Sequence, residues 1–89
     1  DDAYLAAALC AELTISTLKA NTDINKLQPL NVVGFVNADE TFEDHAKVLN
    51  GFTDTLTNYF TEKATRSAVG VKSLPLNVCV EVQCIFSYE

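Results

Sequence analysis

Alternating hydrophobic and polar positions dominate the C-terminal end, where residues 66–88 read RSAVGVKSLPLNVCVEVQCIFSY. Two strand-like runs are joined there by a short Leu-Pro connection. In the first, Ser67, Val69 and Val71 point one way and Arg66, Ala68 and Gly70 the other. In the second, Val78, Val80, Val82, Cys84 and Phe86 share a face, and Cys79, Glu81, Gln83, Ile85 and Ser87 share the opposite one. One face of each strand is expected in the core, with Arg66 and Glu81 on the other faces.

Helical periodicity marks two further stretches. Asp1 to about Asn21 is rich in Ala and Leu, which favour helix. Leu5, Leu9 and Leu13 recur every fourth residue and predict the buried stripe, thickened by Ala6, Cys10 and Thr17. The small alanines let such a helix lie close on its neighbour. The Asn21-Thr22-Asp23 cluster ends it, and Ile24, Leu27 and Leu30 anchor the connection that follows. Leu30 to Asn37 (LNVVGFVN) has little alternation, which predicts a central strand covered on both faces. Gly34 within it marks a bulge or a close backbone approach. A second helix is predicted from about Glu40 or Phe42 to about Lys63. Ala46, Leu49, Thr53, Leu56 and Phe60 form one stripe, and Val48, Phe52, Thr55 and Tyr59 lie beside it. Thr41 and Asp44 have the spacing of a weak capping box. Gly51 costs about 1 kcal/mol in mid-helix and points to a backbone packed against it.

The order helix, strand, helix, strand, strand predicts a two-layer α/β sandwich. A strand–helix–strand unit makes its two strands parallel, so the strand from Leu30 and the strand from Ser67 should run together. Both helices are expected on one face of the mixed sheet. The other face is left for water or a partner chain. With 89 residues, 48% hydrophobic and 20% charged, residues 1–89 form a single globular domain. A chain of this size buries roughly 60–65% of its unfolded surface, a thin margin.

Net charge is −6, and the six basic residues, Lys19, Lys26, Lys47, Lys63, Arg66 and Lys72, are scattered. A basic stripe for nucleic acid or anionic membrane is missing, and Glu12, Thr14, Ser16 and Thr17 interrupt the one long apolar segment. The start Asp1-Asp2 is unlike a signal leader. Cys10, Cys79 and Cys84 are odd in number and form no C-x-x-C pair. They read as buried, reduced thiols of a cytoplasmic protein, not as a disulfide scaffold or zinc site. No ligand cluster calls for a metal and no phosphate loop for a nucleotide cofactor.

The pattern R-S-A-V-G-V-x-x-L-P-L-N-x-x-V-E-V, from Arg66 to Val82, resembles the RidA/YjgF family, the reactive-intermediate deaminases often labelled L-PSP endoribonuclease-like. Val33-Gly34-Phe35-Val36-Asn37 looks like that family's central strand. Lys47-Val48-Leu49-Asn50-Gly51 with Asp54, and Ala7-Ala8-Leu9-Cys10-Ala11, are similar to the two helices of a divergent branch. The resemblance spans essentially the whole chain and implies a chorismate-mutase-like fold and a homotrimer with sites at subunit interfaces. It also implies further N-terminal strands, so the domain is expected to be truncated at its N-terminus, with an open edge at the last strand.

The resemblance carries two residues into chemistry. On spacing alone Arg66 reads as a surface or salt-bridged arginine. In the family the matching arginine grips the carboxylate of a 2-imino or 2-enamino acid, a task suited to its rigid donor fork. Glu81 stands at the family's acidic position, where a carboxylate polarises the attacking water; otherwise it is a solvent-facing strand residue. Gln83 occupies a place where many members carry a second glutamate, and it cannot act as a base. His45, the single histidine, reads as a surface residue, and Asn50, Gly51 and Asp54 as helix-packing positions.

The expected activity is hydrolysis of reactive 2-imino/2-enamino acids to 2-oxo acids and ammonia, without a cofactor. The alternative is a non-catalytic trimer that binds a small carboxylate or acts as a scaffold, which Gln83 favours. Ribonuclease activity fits least, given the acidic charge and the absence of a His/Lys pair.

Overall fold

A computed structural model describes residues 2–89. Helix α1 (Asp2–Asn21) leads through a short 3-10 turn into strand β1 (Leu27–Asn37). Helix α2 (His45–Leu56), strand β2 (Thr65–Val71), a second 3-10 turn (Pro75–Asn77) and strand β3 (Val80–Tyr88) follow. The sheet order is β2-β1-β3, with β1 parallel to β2 and antiparallel to β3. The protein is therefore a two-layer α/β sandwich, two helices on one face of a mixed three-stranded sheet.

One cluster forms the core. Ala7, Ala11 and Ile15 come from α1, and Val48, Leu49, Phe52 and Leu56 from α2. Val32, Val36 and Val80 come from the sheet, and Phe60 from the loop after α2. The buried stripe of α1 is thus its small side, not the leucine side. Leu5, Leu9 and Leu13 are 62%, 58% and 60% exposed. The reason lies at Gly51. A β-carbon there would collide with the carbonyl oxygen of Tyr4, and Ala7 is the next neighbour. Backbones this close admit alanine between them and exclude leucine. By length and composition α1 could also cross a bilayer, a property that core helices share.

Helix α2 is shorter than its hydrophobic pattern. At its start, Asp39 Oδ1 accepts hydrogen bonds from the Thr41 amide (2.9 Å) and hydroxyl (2.6 Å). That local turn takes Thr41 out of the expected capping box, and Asp44 takes the N-cap place without a side-chain bond. These bonds, the hydroxyl's first, also hold the Asp39 carboxyl below its usual pKa. At the other end Thr57 Oγ1 donates to the Asp54 carbonyl at 2.6 Å, and a turn carries Phe60 into the core against Phe86. Ala46 is exposed; Val48 and Phe52 take the inward places.

Strand β1 begins three residues before the expected Leu30. Its bulge falls between Pro29 and Asn31, not at Gly34. Proline brings no amide to the ladder, and Leu30 is the extra residue. The bulge switches which parity faces inward: Pro29 is buried before it, and Val32, Gly34 and Val36 after it. What approaches Gly34 is a side chain and not the expected backbone, since a β-carbon there would lie 2.6 Å from a Leu49 methyl. Val33 and Phe35 face the uncovered side of the sheet, so β1 is central but covered on one face only.

The register corrects one expectation about faces. Arg66, Ala68 and Gly70 pair with Val32, Gly34 and Val36, and so lie on the helix side. Ser67, Val69 and Val71 lie on the open side with Val33 and Phe35, next to Gln83 and Glu81 of β3. In β3, Val80, Val82, Cys84 and Phe86 face the helices as expected. The Leu-Pro connection is a tight turn in which Leu76 (φ 59°) and Asn77 (φ 54°) are left-handed. Asn37 Nδ2 ties it down by donating to the Val78 carbonyl at 3.1 Å.

The contact at Gly51 should dominate stability. Gly51→Ala must push α1 off α2 and is expected to cost about 3 kcal/mol. Gly34→Ala meets the two methyls and the branch carbon of buried Leu49, a side chain and not backbone, and should cost less, about 1–2 kcal/mol. Urea denaturation of both variants checks the ranking, and equal costs would refute it.

Candidate functional site

Arg66 sits at the start of β2, where the chain returns from α2 to the sheet. Its Nη1 donates to Thr53 Oγ1 on α2 at 3.1 Å. Thr53 stands one turn before the end of the helix, so the bond ties the guanidinium to the last turn of α2. Beside it opens a cleft of about 280 Å³ lined by Pro29, Thr53, Asp54, Leu56, Thr57, Glu62, Lys63, Ala64 and Arg66. Arg66 has no carboxylate partner among the described residues; the one ion pair there joins Lys47 to Asp44 on the surface. Its remaining donors are open to the cleft and to solvent.

Asp54 lines the same cleft. Its Oδ2 accepts a hydrogen bond from the Tyr4 hydroxyl of α1 at 2.8 Å. A parallel bond runs from the Tyr59 hydroxyl to Glu12 Oε1 at 2.8 Å, with Lys19 over the Tyr59 ring. These two bonds fasten α1, at Tyr4 and at Glu12, to α2 and the turn that follows it. Each carboxylate also raises the pKa of its tyrosine above the usual 10.0, chiefly through the hydrogen bond itself.

Glu81 is elsewhere. It is exposed on the open face of the sheet, opposite Phe35, while Arg66 is opposite Val32 on the helix face. The two residues lie on the two flanking strands, three positions apart along β1. That separation is roughly 14 Å between α-carbons, from strand spacing and rise, with the side chains on opposite faces. Within one chain they do not converge. Gln83 and Ile85 share the Glu81 face, with Val33, Phe35 and Val69.

His45 opens α2 and is half-buried, not a surface residue. Its ring rests on Gly70, where a β-carbon would strike Nε2, and meets Phe42 edge-on at 5.2 Å. It lines a wide, shallow hollow of about 700 Å³ with Asp39, Glu40 and Lys72. All three cysteines are free thiols. Burial raises the Cys10 and Cys84 pKa values, whereas Cys79 is exposed, against the expectation of buried thiols. Among the described residues no group of three metal-ligating side chains occurs. Sequence reasoning missed the place of Asp54 in the Arg66 cleft. The helical spacing of Thr53, Asp54 and Thr57 was its available signal, and the packing reading of Asp54 absorbed it.

No protein-family model matches the chain. Over 87 residues it is 33% identical to the protein TCP17 of Trypanosoma cruzi, an alignment covering 90% of this chain and 53% of that protein. Its fold superposes on the crystal structure of Atu1372 from Agrobacterium tumefaciens, a protein of unknown function, with a TM-score of 0.92 and 32% identity. That match covers 99% of this chain and 60% of the other. The chain thus spans about half the length of the curated relative it matches.

The Tyr4–Asp54 bond gives a direct probe of the cleft wall. A phenol whose pKa is raised in the fold contributes stability below about pH 10, and this is lost as pH rises through the folded value. In Asp54→Asn the Tyr4 titration should fall back toward 10.0, measured by ultraviolet difference absorbance. An unchanged tyrosine titration would show that the bond does not form in solution.

Proposed function

We propose that this chain is a RidA-like domain that binds small 2-imino or 2-oxo acids at Arg66 and hydrolyses the imines to 2-oxo acids and ammonia. The observation that carries this reading is the guanidinium of Arg66, bonded to Thr53 and without a carboxylate partner among the described residues, on the wall of a cleft of about 280 Å³. A substrate carboxylate satisfies its open donors in a bidentate, charge-assisted pair. The enamine tautomerises to the imine, water adds at C2, and the nitrogen leaves as ammonia once protonated. Protonated imines are electrophilic already, so positioning and proton transfer are the tasks left to the protein.

In this reading Glu81 polarises the attacking water, and it must come from a neighbouring copy because its own chain holds it behind the sheet. Val33, Phe35, Val69 (41% exposed) and Ile85 (51% exposed) lie uncovered on the open face and favour association of copies, and a partner's Glu81 meets Arg66 where such an interface runs round the edge formed by β2. A homotrimer with sites between subunits is the arrangement we favour. Free thiols support a reducing, cytoplasmic setting. The separation of Arg66 from Glu81, together with Gln83, favours one alternative, a trimer that binds the carboxylate without turnover.

Release of 2-oxo acid from 2-aminoacrylate generated in situ should be faster with the protein than in a blank. Arg66→Ala and Glu81→Gln should each lower that acceleration by about 10²-fold. Subunits of the two variants, unfolded and reassembled together, should regain about a quarter of the wild-type sites if each site takes Arg66 and Glu81 from different copies. A folded wild type without acceleration moves the reading to the binding alternative. Full turnover in Arg66→Ala refutes both.

A further inference from the structure

The cleft beside Arg66 has a charge balance that a plain anion site would not need. Arg66 and Lys63 supply two positive charges, Asp54 and Glu62 two negative ones. For a phosphate ester or a dicarboxylate, the attraction of the two cations is opposed by the two carboxylates. A small molecule carrying one charge of each sign can use both. Arg66 and Asp54 are the two of these groups anchored to the rest of the fold, by Thr53 and by Tyr4 respectively. They share the cleft wall without forming an ion pair with each other. Tyr4 occupies Oδ2 of Asp54 and leaves Oδ1 able to take a further donor. Glu62 and Lys63 belong to the loop between α2 and β2, and Glu62 already accepts a hydrogen bond from Thr61.

We propose that Asp54 is a specificity-determining residue that receives the positively charged nitrogen of a ligand whose carboxylate lies on Arg66. The site then selects zwitterions derived from α-amino acids over the corresponding 2-oxo acids. This deepens the reading of Arg66 as a carboxylate clamp and rests on it. It also bears on product release. A protonated imine holds both contacts, and the 2-oxo acid formed from it keeps only the one to Arg66, so the product leaves more readily than the substrate.

Binding to the assembled protein, measured by calorimetry with two stable probes, tests the inference. The probes are 2-aminoisobutyrate, which carries a charged nitrogen, and pyruvate, which does not. Wild type should bind 2-aminoisobutyrate about tenfold more tightly than pyruvate. Asp54→Asn should bring the ratio to about one by weakening the amino acid alone, with pyruvate changed by less than about twofold. Tyr4→Phe removes the hydrogen bond but keeps the carboxylate, and should retain the preference. That separates recognition from a structural role of Asp54. A wild-type ratio of one or below overturns the proposal with no variant needed, which covers the case of an Asp54→Asn protein that does not fold. An undiminished ratio in Asp54→Asn overturns it as well, while the Arg66 site stands. Arg66→Ala that leaves pyruvate binding intact, or a wild type that binds neither probe, overturns the carboxylate site and this inference together.

Discussion

Helix α2 touches the backbone of α1 through the hydrogen atom of Gly51, and the arrangement of the domain follows from that contact. Because the Tyr4 carbonyl occupies the space of a side chain at position 51, only alanines and one isoleucine fit along the seam. The two helices become a single thin layer. That layer covers one face of a three-stranded sheet and no more. Tyr4 marks the same seam twice. Its carbonyl faces Gly51, and one helical turn further along α2 its hydroxyl meets Asp54. The packing that makes the layer thin also fixes one wall of the Arg66 cleft.

The architecture was legible in the residues because period and order carry it. Alternation in 66–88 and the strand–helix–strand order are sufficient for a mixed sheet with parallel β1 and β2. The inner face of α1 was not legible. Its apolar residues run nearly all the way round, so hydrophobicity alone pointed to the largest side chains, whereas burial was decided by how near a second backbone comes. Gly51 held that information, and it was readable as a close contact but not as a choice of helix face. The helix limits of α2 were hidden for a different reason. Thr41 binds Asp39 and Thr57 binds the Asp54 carbonyl, local bonds that compete with the helix and leave no mark on the hydrophobic pattern.

The site was legible in part. Arg66 stands out as a motif residue, and the fold sets it beside a cleft. Its face does not follow from alternation in β2 alone. Val69 and Ala68 compete for the inside, and the smaller residue goes in because α2 passes directly above, with His45 resting on Gly70. Arg66 therefore points toward the helices and Glu81 away from them. Two residues fifteen apart in sequence, near the two ends of one motif, are brought to opposite faces of one sheet.

Strand β3 has nine residues, and its outer row of amides and carbonyls has no neighbouring strand among the described residues. Glu81 points out of the sheet plane and not along that row, and the strand contains neither lysine nor proline to discourage docking. A protein with such a border behaves as a template. At high concentration an extended segment, whether from another molecule or from a fused tag, can add there as a fourth strand.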